Sequence, residues 1–191
     1  QTISSKLKIN YGLRLSLFTV AGSNNLYSFD ASGRVLDTTI LKNRQLDRSY
    51  FNPEPRISLN YSLAEDKSIK FAYSRNVQYI HQLSNTNAGS PTDRWVLSTR
   101  NVRPAISDQV SAGYFFNFGG DMFEASIEGY FKYMQNQIDY KPGTILTANE
   151  TVEKDLVYGI GRAYGAEFYV KKRVGKLTGW VSYTLARSER S

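Results

Sequence analysis

From Arg56 to Leu63 polar and apolar residues alternate without interruption. Ile57, Leu59, Tyr61 and Leu63 fall on one side; Arg56, Ser58, Asn60 and Ser62 fall on the other. After Ala64-Glu65-Asp66-Lys67 the pattern resumes, with Ile69, Phe71 and Tyr73 set against Lys70, Ala72 and Ser74. A period of two means extended backbone with one apolar face and one polar face. A connection this short closes nothing but a hairpin. The Pro53 to Leu83 stretch therefore commits the chain to antiparallel β-structure.

The rest of the chain repeats the pattern. A first strand is expected over Lys6 to Val20, with Leu7, Ile9, Tyr11, Leu13, Leu15 and Leu17 on one face. Later strands are expected over Asp108 to Phe118, Met122 to about Tyr140, about Arg162 to Lys172, and Leu177 to about Arg187. Gly119-Gly120-Asp121 and Arg173-Val174-Gly175-Lys176 supply tight turns between them. Three polar stretches read as long loops: Ala21 to Asn52, His81 to Ser107, and Lys141 to about Gly161. In the first, Leu26 to Phe29 and Arg34 to Ile40 flank Asp30-Ala31-Ser32-Gly33 and predict a small flap-like hairpin. No helix is expected. The fold class is all-β, an antiparallel up-and-down meander of about seven strands, too few to close on themselves.

Long and short connections alternate strictly, so every long loop emerges at one end of the sheet. Compact soluble domains seldom carry several loops of this length, whereas transmembrane barrels pair short turns at one rim with long loops at the other. The polar face carries Lys8, Arg14, Arg56, Lys70, Glu124, Glu128, Lys132 and Glu167, while the opposite face is almost purely aliphatic and aromatic. Apolar outside and polar inside is what a barrel in lipid requires. The charges are expected to face the lumen, and the chain is expected to form part of a transmembrane β-barrel. The alternative is a soluble all-β ligand-binding module of carbohydrate type, in which two sheets bury their apolar faces against each other.

Composition narrows the function. Aromatic residues make up 14% of the chain, a share that suits sheets and interfacial girdles. The net charge of +7 comes from basic residues dispersed among acids, which argues against a nucleic-acid partner. With no cysteine and one histidine, disulfides, thiolate chemistry and His-rich metal sites are excluded, and no cofactor is expected. No run reaches the roughly 20 apolar residues of a membrane-spanning helix. Gln1-Thr-Ile-Ser-Ser-Lys lacks the features of a signal peptide, and the chain reads as a piece of a longer one.

Phe51-Asn-Pro-Glu-Pro-Arg-Ile-Ser-Leu-Asn-Tyr and Ile69-Lys-Phe-Ala-Tyr-Ser-Arg-Asn-Val-Gln-Tyr-Ile-His-Gln-Leu resemble the barrel of TonB-dependent outer-membrane receptors, in the form common among Bacteroidetes. Ser90-Pro-Thr-Asp-Arg-Trp95, Gly159-Ile-Gly-Arg-Ala-Tyr-Gly-Ala-Glu-Phe and Gly175-Lys-Leu-Thr-Gly-Trp-Val-Ser-Tyr-Thr-Leu are similar too. The resemblance implies residence in the bacterial outer membrane, contact with its lipid, and uptake of a bulky nutrient such as an iron chelate or glycan. It implies coupling to TonB through a plug region that this segment lacks, and no enzyme activity. If isolated, the segment is expected to self-associate through its open sheet edges.

Glu124 and Glu128 share a face four residues apart, roughly 13 Å along a strand, too far for a glycosidase pair. Cross-strand pairing of Glu128 or Glu167 with Lys132 or Lys171 is expected instead. Gly159-Ile-Gly161-Arg-Ala-Tyr-Gly165 mimics a dinucleotide fingerprint but has no helix after it. Asn60-Tyr-Ser62 and Asn149-Glu-Thr151 match the glycosylation triplet, a pattern short enough to arise by chance. The ligand-binding candidates are Arg75, Gln78, Tyr79, His81, Arg94 and Trp95, at or beyond the loop end of the third strand. Aromatic and guanidinium groups together can stack on and hydrogen-bond a ligand. Trp180 is expected on the lumen face or at the turn-side interface.

Overall fold

The structure is a computed structural model that describes residues 6–21, 25–30, 34–43, 45–83, 94–141 and 152–191. The strands, in chain order, are β1 (Leu7–Ala21), β2 (Asn25–Phe29), β3 (Val35–Ile40), β4 (Leu46–Ala64), β5 (Lys67–Gln78), β6 (Ile80–Leu83), β7 (Arg94–Leu97), β8 (Ala105–Phe118), β9 (Phe123–Tyr140), β10 (Leu156–Lys172) and β11 (Gly179–Arg190). One 3-10 turn, Val152–Asp155, precedes β10. Seven strands form one antiparallel sheet in the order β1-β4-β5-β8-β9-β10-β11; β2-β3 and β6-β7 are separate hairpins set into the long connections. The sheet is a meander with β1 and β11 at its open edges, a partial barrel.

Two adjacent rows show how faithfully the register follows the alternation. Lys8, Asn60, Lys70, Gly113, Glu128, Glu167 and Thr184 lie opposite one another across all seven strands. One residue along, Ile9, Leu59, Phe71, Ala112, Gly129, Ala166 and Leu185 do the same. A slip of one residue at any pairing would mix the two rows, so the side-chain pattern fixes the register.

Among the described residues nothing covers the apolar face. Leu13, Leu17 and Leu185 remain 63%, 71% and 64% exposed. A soluble sandwich would need a second sheet across this face, and the described residues supply none. The one cluster of buried apolar residues among them sits beyond the sheet at the long-loop end, where Leu83, Val96, Val102 and Leu156 pack with Ile138 and Tyr140.

The short connections close the other end. Gly119, Gly120 and Asp121 all have positive φ, at 65°, 64° and 61°, which glycine adopts freely and Asp tolerates. The Asn117 amide donates to Asp121 Oδ1 at 3.0 Å and braces this turn.

Several strands are longer than the sequence alternation indicates, always at the loop end. β4 begins at Leu46 where a loop was expected as far as Asn52, β10 begins at Leu156, and the His81 to Ser107 loop contains the β6-β7 hairpin. The expected flap is present as β2 and β3, though residues 31–33 of its turn lie outside the described residues. Pro53 and Pro55 have no N–H to give a ladder, and β4 pairs with β5 only from Arg56 onward. Above that point the Glu54 carboxylate accepts the Val77 N–H at 3.4 Å.

Candidate functional site

The three long connections converge above the polar face and are tied together by side chains. Tyr50 on β4 donates its hydroxyl to the Thr99 carbonyl at 2.6 Å. Thr99 Oγ1 donates to Glu153 of the 3-10 turn at 2.8 Å. The Asn101 amide donates both to that carboxylate, at 2.6 Å, and to the Tyr27 carbonyl of the flap, at 2.8 Å. Tyr158 donates to the Asn101 carbonyl, and Arg100 pairs with Asp47, whose side chain is almost fully buried. Segments from all three loops are thus joined in one hydrogen-bonded cap.

Tyr50 and Arg100 of this cap also line a cavity of about 360 Å³. Arg48, Arg100 and Arg103 line it together with Tyr50, Asn52 and Asn136. Asn136 is held at a left-handed φ of 54° and donates its amide to the Pro104 carbonyl at 2.8 Å. The Arg48 guanidinium lies 5.4 Å from the Tyr50 ring centroid, a cation–π distance. Arg100 is neutralised by Asp47, so Arg48 and Arg103 are the charges this cavity offers. An anion with hydrogen-bond acceptors suits such a lining.

The residues singled out from the sequence are distributed differently. Tyr79 stands beside this region: its ring stacks on Phe18 at 4.8 Å and its hydroxyl accepts from Asn52 at 2.9 Å. His81 is buried in the β6-β7 hairpin, with Nε2 3.1 Å from Ser98 Oγ. Burial holds its pKa below the ordinary 6.5. Trp95 is opposite Gln82, on the other side of that hairpin from His81, and is exposed. Gln78 donates its side-chain amide to the Ile80 carbonyl. Arg75 belongs to the apolar face, where it makes two hydrogen bonds to Asp108. Arg94 contributes backbone to β7; its side chain, like Ser90 to Asp93 and Asn149-Glu-Thr151, lies outside the described residues. The structure therefore brings Tyr79 toward the cavity and does not gather the other described candidates there. Asn52, Arg48, Arg100 and Arg103 were not singled out, although Asp47-Arg48-Ser49-Tyr50 and Arg100-Asn101-Val102-Arg103 are visible as arginine-bearing polar runs.

The charges of the polar face keep to one side of the sheet. Arg14 lies opposite Glu54, with Nε 3.6 Å from Oε1. Arg56 lies opposite Gly12 and Ser74, Lys70 opposite Asn60 and Gly113, and Lys132 opposite Gln109 and Ala163. The expected pairing of Glu128 or Glu167 with lysine is corrected by the register. Glu128 faces Glu167, and it is Glu124 that faces Lys171. Gly113 makes room beside Glu128: a Cβ there would come within 2.8 Å of Glu128 Cγ. Lys70 places its ammonium 3.8 Å over the Phe115 ring. Trp180 is on the polar face near the turn, opposite Lys171 and stacked on Tyr169 at 6.3 Å.

The family model "TonB dependent receptor-like, beta-barrel" matches residues 1–191. No curated protein matches the sequence. Among solved structures, the FrpB iron transporter of Neisseria meningitidis superposes with a TM-score of 0.60 at 12% identity, over 98% of this chain and 24% of that one. The copper transporter OprC gives 0.61 at 15%, over 98% and 27%. The ferric-catecholate import receptor Fiu of E. coli, in its closed form, gives 0.53 at 14%, over 96% and 26%. The chain spans about a quarter of the length of these structures. At such identities the superpositions speak for the fold alone, and the family match adds the lineage. An all-antiparallel sheet with one bare apolar face, long loops at one end and a family match over its full length leads to one conclusion: the chain belongs to the TonB-dependent receptor-like β-barrel family, a family of outer-membrane barrels.

Proposed function

We propose that this chain is a barrel segment of an outer-membrane receptor that takes up a bulky nutrient with energy delivered through TonB, and that the plug which contacts TonB lies elsewhere in the parent protein. The apolar face meets lipid and the polar face, with Arg14, Arg56, Lys70, Glu124, Glu128, Lys132 and Glu167, lines the lumen. The sequence signatures around Phe51 to Tyr61 and Ile69 to Leu83 support the Bacteroidetes form of the receptor. Iron chelates and glycans are the two nutrient classes that the family resemblance raised. The observation that carries a choice between them is the cavity adjoining the loop cap, whose Arg48 and Arg103 favour an acidic chelate over a neutral glycan.

The test is uptake by cells expressing the intact receptor with Arg48→Gln and Arg103→Gln together. Radiolabelled ferric chelates bearing carboxylate or catecholate groups are offered beside neutral oligosaccharides. Chelate uptake that requires the proton-motive force and falls by at least about tenfold in the double variant, the loss expected for even one charge-assisted hydrogen bond, supports the reading. Oligosaccharide uptake with no response to acidic chelates refutes the ligand choice.

A further inference from the structure

On the apolar face, one register row departs from the rule. Arg75 lies opposite Asp108, Asp108 opposite Tyr133, Tyr133 opposite Arg162, and Arg162 opposite Glu189. The row crosses five successive strands on the side that carries Ile, Leu, Phe and Ala toward the turns. Most of its charge is internally matched. Arg75 binds both Asp108 oxygens at 2.8 and 3.0 Å, and the Tyr73 hydroxyl donates to the same carboxylate at 2.7 Å. Glu189 is held by Arg187 at 2.5 Å. Arg162, exposed and directly across from Glu189, forms no ion pair among the described residues.

The height of Arg162 matters. On β10 the outward residues between Arg162 and Lys172 are Tyr164, Ala166, Phe168 and Val170. Ten residue steps separate the two cations, about 33 Å along a strand. At the ~40° tilt of membrane barrels this is about 25 Å of height, the thickness of the apolar band itself. β10 thus carries one cation at each rim of the hydrocarbon, and Arg162 marks the rim nearest the long loops. Around it stand Tyr133 on β9, Tyr164 on β10 and Arg187, which lies opposite Tyr164 on β11. Two guanidinium groups and two phenols share one patch at the level of lipid headgroups; its two acids are already engaged, Glu189 by Arg187 and Asp108, opposite Tyr133, by Arg75.

We propose that this patch binds the phosphate of an outer-leaflet lipid, with Arg162 as the principal ligand and Arg187 beside it. The inference rests on the reading that the apolar face meets lipid. A guanidinium presents paired donors that match phosphate oxygens, and a cation at the rim of the hydrocarbon seeks an anion in the headgroup layer. The occupant is a membrane lipid and not free phosphate, because the patch is continuous with the apolar band in which acyl chains would lie.

The test uses the intact receptor in mild detergent, titrated with lipid A and followed by native mass spectrometry. Wild type is expected to bind lipid A about tenfold more tightly than the Arg162→Gln, Arg187→Gln double variant, with Arg162→Lys in between. Wild type is also expected to bind lipid A more tightly than its dephosphorylated form, a comparison that needs no variant to fold. Equal affinity for the two lipids, or displacement of lipid A by millimolar inorganic phosphate, overturns the proposal. Reconstitution into phosphatidylcholine vesicles separates the two readings: a receptor that inserts but ignores the phosphate sinks this site alone, and one that does not insert sinks the membrane reading.

Discussion

Replacing Phe168 by Arg should be among the most damaging surface changes in this chain. Phe168 points outward on β10, opposite Ile127 and Tyr183. It lies four residues from Lys172, about 10 Å above the turn-side rim at the strand rise and tilt of a membrane barrel, well inside the apolar band. Arg near the midplane of a barrel costs about 2–4 kcal/mol, and loss of the phenyl group from lipid adds about 1.5–3 kcal/mol. The sum is about 3.5–7 kcal/mol, toward the lower end once the Arg head snorkels. The neighbouring residue Glu167 faces the other way, opposite Glu128 and Thr184. Glu167→Arg should be neutral or slightly stabilising, because it replaces a like-charge contact with an opposite one. The assay is reversible guanidinium unfolding of the intact receptor in lipid vesicles, with folded protein scored by retarded mobility on unheated gels. Equal penalties for the two substitutions would refute the reasoning.

Three further outcomes are expected. Gly165→Ala should destabilise by about 1–3 kcal/mol in the same assay, because a Cβ there comes within 2.7 Å of the Leu185 carbonyl oxygen; an unchanged midpoint would show that β11 is free to move. Glu128→Gln should stabilise by about 0.2–1 kcal/mol through relief of the contact with Glu167, since the amide oxygen can still accept the Ser126 hydroxyl that the carboxylate accepts at 3.3 Å; a loss of stability would mean that the bond to Ser126 outweighs the repulsion. His81 has a folded pKa below its ordinary 6.5 because it is buried. Its unfolded form therefore takes up the proton first, and the β6-β7 hairpin should lose stability as pH falls through about 6.5 and below, with no change above it. Hydrogen exchange at Ser98 and its neighbours would report this loss, and His81→Gln should abolish the pH response.

What could be read from the sequence, and what could not, divides at the rim of the membrane. Within the band one face meets lipid and the other water, so Ile57, Leu59 and Tyr61 alternate cleanly with Ser58 and Asn60 and the strands are plain. Beyond it both faces of the same strand meet water and the period of two disappears. Asp47-Arg48-Ser49 is polar throughout, so the start of β4 reads as loop, and the same holds for β6 and β7. The start of β10 is hidden for a second reason, the register shift between Gly159 and Gly161. Pairing partners were also out of reach. Alternation assigns Glu128 and Glu167 to one face, but whether they meet each other or a lysine depends on turn lengths that single-chain patterns do not resolve. The cavity arginines were missed on the same ground, since Arg48, Arg100 and Arg103 converge only once β4 and the segment before β8 are side by side.

The chain has no cysteine, so a single reporter placed in it meets no competing thiol within this segment. Phe168→Cys, Ala166→Cys and Tyr164→Cys would be labelled with an environment-sensitive fluorophore beside Glu167→Cys and Tyr169→Cys, each in the intact receptor in bilayers. Quenching from the acyl-chain phase is expected at the three even positions and quenching from the aqueous phase at the two odd ones. If the water-soluble quencher reached both sets equally, the face that carries Leu, Ile and Phe would not be facing hydrocarbon.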